Sequence, residues 1–344
     1  MAHRTHLLGM TLNELEQVVS SRALPKFTAK QIADWLYKKR VTSIDEMTNI
    51  SAANRSLLSV KYNLGRSSPV EKHTSSDGTV KYLFRAKSGG YVETVMIPDG
   101  DRMTLCVSSQ VGCKLNCLFC KTGKQGFNGN LTAGEMLNQI FSVEDAAKLS
   151  NVVFMGMGEP LDNYKQLSAC LEIMTSAYGL AWSPKRITVS TTGVVPNLQR
   201  FLKESGAHLA ISLHSPFHEQ RMSLMPVEKV YSMEAIMDVL RRYDWTKQRR
   251  LSFEYIMFNG LNDSLRHAKE LLRLLKGLEC RVNLLRFHSI PEADLRPSDQ
   301  LRMEQFRNYL TANGIICTVR NSRGEDILAA CGMLSTEKEK KNLE

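Results

Sequence analysis

The sequence predicts an α/β fold, a partial (βα)6 barrel preceded by a small helical unit. From residue 103 onward, apolar runs of strand length alternate with segments of helical period. That is the pattern of a parallel sheet with right-handed crossovers. Polar motifs sit at the C-terminal ends of most of these runs. Barrel chemistry collects there, which favours a barrel over a Rossmann sheet. The chain has 344 residues, 43% of them hydrophobic, so it can bury a sizeable core and carries no compositional mark of disorder.

Taken in order, residues 1–65 read as helical. TLNELEQVVSSRAL places Leu12, Leu15, Val18 and Val19 on one stripe behind Thr11 as N-cap. FTAKQIADWLYKKR repeats the pattern with Thr28, Ile32 and Leu36, and SAANRSLLSVKYNLG is expected to form a third helix closing at Gly65. Residues 66–102 change texture. SSDG and SGG are turn signals, and the alternation in TVKYLFRA and YVETVMI predicts hairpin strands linking the helical unit to the main one. The barrel spans 103–334, with strands at TLCVSS, NVVFMG, RITVSTT, HLAISLH, RLSFEYIMF and RVNLLRF and a later one at IICTVRN. Helices are expected near 132–148, 163–178, 196–204, 233–243 and 264–276. Residues 335–344 form a charged tail.

The formal net charge is +10, and the first seventy residues hold ten Lys or Arg against five Asp or Glu. Such a field attracts phosphate backbones and hints at nucleic acid, without fixing a fold. The N-terminus lacks the apolar core of a signal peptide, and no apolar run approaches the roughly 18 residues of a spanning helix. The expectation is a soluble, cytoplasmic protein with no membrane partner. Eight cysteines spread along such a chain suit reduced thiols and metal ligation better than a disulfide framework.

The sharpest motif is CVSSQVGCKLNCLFC, residues 106–120. Cys113, Cys117 and Cys120 supply three thiolates from one loop, while Cys106 stands apart. Structural zinc wants four ligands, and no paired CxxC offers the fourth. A 4Fe–4S cube held by three cysteines keeps one iron open for a substrate. This CxxxCxxC after the first barrel strand, with Phe119 before the last cysteine, resembles the signature of radical S-adenosylmethionine enzymes. The resemblance implies a cluster on Cys113, Cys117 and Cys120 whose open iron binds S-adenosylmethionine. FMGMGEPLDN is similar to the element in which Gly158 and Glu159 meet the cofactor's amino group. Ser190 in VSTTG, and Ser212, Leu213 and His214 in AISLHS, match further cofactor contacts. His288, in RFHSIPEAD, stands where an asparagine contact is expected.

RGEDILAACG, residues 323–332, and YVETVMIPDGDRMTLCVSSQVGC, residues 91–113, resemble the RlmN and Cfr family of radical RNA methylases over their whole length. That resemblance implies that Cys331 carries a methyl group taken from one S-adenosylmethionine, a second being cleaved at the cluster in each turnover. It implies a covalent protein–RNA adduct, Glu93 as the base, and Cys106 as the thiol that forms a transient disulfide with Cys331. The substrates it implies are adenosine 2503 of 23S ribosomal RNA and adenosine 37 of certain transfer RNAs, methylated at C2. It also implies an external one-electron donor such as flavodoxin, a helical RNA-binding N-terminus and a monomer. KTGKQGFNGNL after Cys120 is closer to the RlmN pattern than to the Cfr pattern, which methylates C8. Two alternatives from other classes are a non-catalytic iron–sulfur RNA-binding protein and a zinc-binding module. Cys170, Cys280 and Cys317 lie within helix or strand patterns and read as small buried hydrophobes.

Overall fold

The computed structural model describes residues 4–247 and 250–336; of the expected tail, residues 337–344 lie outside the described residues. The N-terminal unit contains β1 (Thr5–His6), α1 (Leu12–Ser20), α2 (Thr28–Ala33), α3 (Ala52–Lys61) and β2 (Tyr62–Asn63). Thr11 caps α1 through a capping box with Glu14, and Leu15, Val18 and Val19 are its buried stripe. Thr28, Ile32 and Leu36 are buried as expected, but the helix widens into a π turn over Asp34–Lys38. The third helix stops at Lys61, short of Gly65. Tyr62 and Asn63 instead pair in parallel with Thr5 and His6, so backbone groups that a longer helix would use serve β1.

β3 (Glu71–Thr74), β4 (Val80–Arg85), β5 (Tyr91–Asp99) and β6 (Arg102–Cys106) form an antiparallel meander. Residues 66–102 therefore extend the main sheet as well as connecting to it. Beyond β6 come a small hairpin of β7 (Gln110–Gly112) and β8 (Phe127–Asn130), with α4 (Lys121–Lys124) between them. α5 (Ala133–Phe141) then leads into the alternating region. Its members are β9 (Asn151–Phe154), α6 (Tyr164–Thr175), β10 (Ile187–Thr191), α7 (Val195–Glu204), β11 (His208–Ser212), α8 (His218–Leu224), α9 (Met233–Arg242), β12 (Leu251–Met257), α10 (Leu265–Leu275), β13 (Arg281–Arg286), α11 (Gln300–Ala312) and β14 (Ile316–Val319).

The ten-stranded sheet runs β14-β13-β12-β11-β10-β9-β6-β5-β4-β3. All pairings from β6 to β14 are parallel. Every residue of β12 is buried, as expected of a strand covered on both faces. The helical unit docks on α5 with backbone touching backbone. A Cβ on Gly9 would lie 2.1 Å from Gly134 N, and one on Gly134 would lie 2.2 Å from Leu8 O. Arg66 reinforces the joint, donating to Arg40 O at 2.5 Å and Phe141 O at 3.0 Å. The parallel strands thereby aim their C-terminal ends at one place.

Candidate active site

A cavity of about 410 Å³ opens at those ends and is lined by residues from every parallel strand. Cys106 closes β6, Ser190 and Thr191 close β10, Ser212 closes β11, and Glu254 lies on β12. Phe119 and Cys120 contribute from the cysteine loop. The segment after β14, residues 320–336, lines a further wall from Arg320 to Leu334 and carries Cys331. We call this segment the strap.

All eight cysteines are free thiols. Burial raises Cys113 to about 12, and lifts Cys117 and Cys120 above the ordinary thiol range. Cys113 is raised further by Cys120, and Cys117 by both others. One buried and two partly buried thiols whose charges oppose one another suit a multivalent cation, which reverses that penalty. Among the described residues no three His, Cys, Asp or Glu converge on one point to hold a single ion. A 4Fe–4S cube needs no such convergence, because each thiol takes a different iron. The donor set fits a cluster.

Gly158 has φ +96°, and a Cβ there would lie 2.4 Å from Gln110 Cβ, so the turn after β9 requires glycine. Glu159 is buried. Its carboxylate accepts from Thr191 Oγ1 at 2.6 Å, Thr192 N at 2.8 Å and Leu161 N at 2.9 Å. Burial still raises its pKa. His214 is buried with φ +56°. Its Nδ1 accepts the N–H of Ile256 at 3.0 Å, so the proton resides on Nε2. Burial, with Arg221 adding to it, lowers its pKa to about 3. The ring is therefore a neutral donor, set edge-on to Phe119.

Cys106 and Cys331, 225 residues apart in the chain, line the same cavity, closely enough for the charge of Cys331 to be felt at Cys106. Burial raises Cys106, and Cys331 raises it further. Cys331 is exposed to the cavity yet walled by protein. Lost hydration lifts its thiol, Glu254 adds to the rise, and Arg320 opposes it.

The other expected residues stand less directly on the cavity. Leu213 is fully buried behind it. His288 lines the wall, but Ser322 Oγ lies 3.0 Å from its Nε2 and Glu325 Oε1 lies 3.3 Å from its Nδ1, so both nitrogens engage the strap. Glu93 is buried on β5 beside the lining, with Ser335 N donating to its Oε2 at 2.9 Å. Cys170 and Cys317 are buried, and Cys280 is partly so.

Several site-building residues escaped the sequence reading. Arg221 is fully buried, donating to the carbonyls of Thr192, Ser212 and Leu213 and pairing with Glu228. It fastens the ends of β10 and β11, and its charge opposes the rise that burial imposes on the neighbouring Cys117 thiol. Glu254 faces the cavity, accepting from Asn283 Nδ2 at 2.8 Å and Ser252 Oγ at 3.1 Å. A polar residue inside an apolar run was the available signal for Glu254; Arg221 had none.

A parallel α/β arc with a three-cysteine loop beside its first strand, opposite a GEP turn, defines a radical S-adenosylmethionine protein. Residues 107–275 match the model of the Radical SAM superfamily, and residues 5–63 match the ribosomal RNA large subunit methyltransferase N-terminal domain. The chain belongs to the RlmN family. It is 59% identical over 338 residues to a probable dual-specificity RNA methyltransferase RlmN of Phocaeicola vulgatus, covering 98% of this chain and 97% of that one. A dual-specificity RNA methyltransferase RlmN of Campylobacter curvus is 41% identical over 348 residues, covering 96% and 93%. The crystal structure of a radical SAM methyltransferase from Sphaerobacter thermophilus superposes with a TM-score of 0.90 at 40% identity, covering 97% of this chain and all of that one. Among the described residues no helix is long and apolar enough to cross a membrane.

Proposed function

We propose that the protein methylates C2 of adenosine in 23S ribosomal and transfer RNA, by way of a methyl group carried on Cys331. The observation that carries this reading is the meeting of Cys106 and Cys331 at a cavity that also contains Cys120 and the GEP turn. A module that only bound RNA would need neither thiol there.

Cys113, Cys117 and Cys120 would hold a 4Fe–4S cluster, which would supply the electron for reductive cleavage of S-adenosylmethionine. Gly158, Glu159, Ser190, Ser212, His214 and His288 would orient that molecule, with Leu213 as packing behind it. The Cys331 thiolate takes a methyl group from one S-adenosylmethionine. After loss of a hydrogen atom, its methylene carbon bonds to adenine C2. Glu93 takes the ring proton, and the unpaired electron that the radical addition leaves on the ring would pass to the cluster as one-electron acceptor. The Cys106 thiolate then attacks the Cys331 sulfur. An S–S bond forms, the S–C bond breaks with its electron pair left on carbon, and that carbon takes up a proton to become the methyl group. Two S-adenosylmethionine molecules are used per turnover, an external donor of the flavodoxin type supplies electrons, and the chain acts as a monomer.

The test is mass spectrometry of RNA nucleosides after reaction with methyl-labelled S-adenosylmethionine and reductant. Labelled 2-methyladenosine is the expected product; 8-methyladenosine would overturn the choice of carbon. Cys106→Ala should accumulate a covalent RNA adduct, and Cys331→Ala should form none.

A further inference from the structure

β4, β5 and β6 set Lys81, Val95 and Cys106 in one row, because Lys81 pairs with Val95 and Val95 pairs with Cys106. Paired residues share a face of a sheet, as do residues two apart on one strand. Glu93 therefore stands on the same face as Lys81 and Cys106. Lys81 is only 7% exposed and Glu93 only 1%, and Lys81 Nζ lies 2.7 Å from Glu93 Oε1. Titratable groups share this face from β3, as Glu71 and the exposed His73, which pair with each other, and from β4, as Lys81 and the exposed Arg85. Others come from the far end of β5, as Asp99, and from β6, as Cys106 and the exposed Arg102. The turn after β9 contributes the uncharged Met157, whose sulfur receives the Glu93 N–H, and the strap contributes the uncharged Ser335.

A lysine inside a strand ordinarily turns its head to water. Lys81 sits among Val80, Tyr82, Leu83 and Phe84, all buried, where an ammonium is tolerated only when paired. A purely structural ion pair at such a place can be replaced by apolar residues with little loss. Here the carboxylate stands beside Cys106 and touches the strap that carries Cys331. Without a cation, a carboxylate this buried would take up a proton and could no longer accept one.

We propose that Lys81 is a positioning residue that keeps Glu93 ionised and oriented to take the adenine ring proton. The inference rests on the reading of Glu93 as the base. In that step the proton passes to Glu93, and the electron pair of the broken C–H bond stays in the ring.

The experiment compares Lys81→Met and Lys81→Arg in the full-length enzyme reconstituted with its cluster. Lys81→Met should still methylate Cys331 and form the RNA adduct. It should release that adduct about tenfold more slowly or worse at neutral pH, since each unit by which a base's pKa rises past the pH leaves tenfold less base. The apparent pKa of release should rise, the rate should recover at higher pH, and Lys81→Arg should restore most of it. Lys81→Gln serves as the neutral variant if Lys81→Met does not fold. An infrared spectrum of the cluster-free protein gives an independent readout. The neutral variant should show a protonated-carboxyl band that disappears on adding Glu93→Gln. Unchanged release with an unchanged pH profile would overturn the proposal. So would slow release that higher pH does not recover, with no new infrared band. Glu93→Gln separates the two readings. If it releases the adduct like wild type, the base assignment fails. If it traps the adduct while Lys81→Met does not, the Lys81 inference alone fails.

Discussion

The cysteine loop and the strap adjoin at the cavity, where Lys121 N donates to Gly332 O, but they are held by different means. The loop is knitted by backbone bonds: Cys113 N to Gly126 O, Leu118 N to Leu224 O, Cys120 N to Cys117 O and Lys124 N to Cys120 O. The strap hangs largely from side chains. At one end Asp77 accepts the Gly324 N–H at 3.0 Å, and Asp326 accepts from Ser75 Oγ at 2.5 Å. At the other end Thr122 Oγ1 donates to Leu334 O at 2.6 Å, and Ser335 N donates to Glu93. Leu328, with φ +54°, lies between these ties, just ahead of Cys331. The contrast suits two tasks. Cluster ligands must keep their spacing, whereas a methyl carrier must serve a donor, an adenine and a second thiol in turn.

Breaking the rigid side should cost most. Arg221→Met takes the buried guanidinium from Glu228, leaving it only the His218 ring and the Met233 N–H. It also removes one donor from each of three carbonyls, and should lower stability by about 3–5 kcal/mol. Denaturant unfolding of the cluster-free protein measures this, and adding Glu228→Leu should recover much of the loss. Next comes Gly158→Ala. The left-handed backbone alone costs about 1–3 kcal/mol, and the clash with Gln110 displaces the turn that would face S-adenosylmethionine. Thermal melting and equilibrium binding of S-adenosylmethionine should both report the change.

Changes at the strap should be smaller and local. Asp77→Asn should speed proteolysis within residues 321–336 several-fold while the global melting temperature holds. Although burial raises the Asp77 carboxyl, the N–H groups of Gly324 and Thr79 outweigh it and hold the group well below the usual range. Its contribution is thus complete above the ordinary value near about 4 and fades only as pH falls through the lower folded value. Hydrogen exchange at Gly324, corrected for intrinsic rate, should therefore stay constant from neutral pH into mild acid. Thr122→Val removes one buried bond to the strap and should cost about 1 kcal/mol. If Thr122→Val loosened the strap as much as Asp77→Asn, the two ends would be a single latch instead of separate ties.

Features with a local period were legible in the chain. The parallel strands appear as the apolar runs of β6 and β9 to β14; the central ones, β12 above all, are covered and need no pairing partner to declare themselves, while β14 leaves Ile316 and Thr318 exposed. Thr11 with Glu14 marks the first cap, and the loop spacing of Cys113, Cys117 and Cys120 marks the cluster site. α8 and α11 were less visible. α11 buries only Met303, Phe306 and Leu310, too sparse a stripe to stand out. α3 ends sooner than its periodicity suggests because the strand pairing that ends it lies more than fifty residues upstream.

What only the tertiary structure decided is every relation between distant segments. The row of Lys81, Val95 and Cys106 depends on strand register. The burial of Arg221 depends on two strand ends converging. The meeting of Cys106 with Cys331 depends on a strap fastened to residues 75–77 and 122–125. Residue type and spacing encode periodicity and ligand sets because those interactions act within a few turns of chain. A contact across more than two hundred residues leaves no such local trace, and only the folded sheet brings its two sides together.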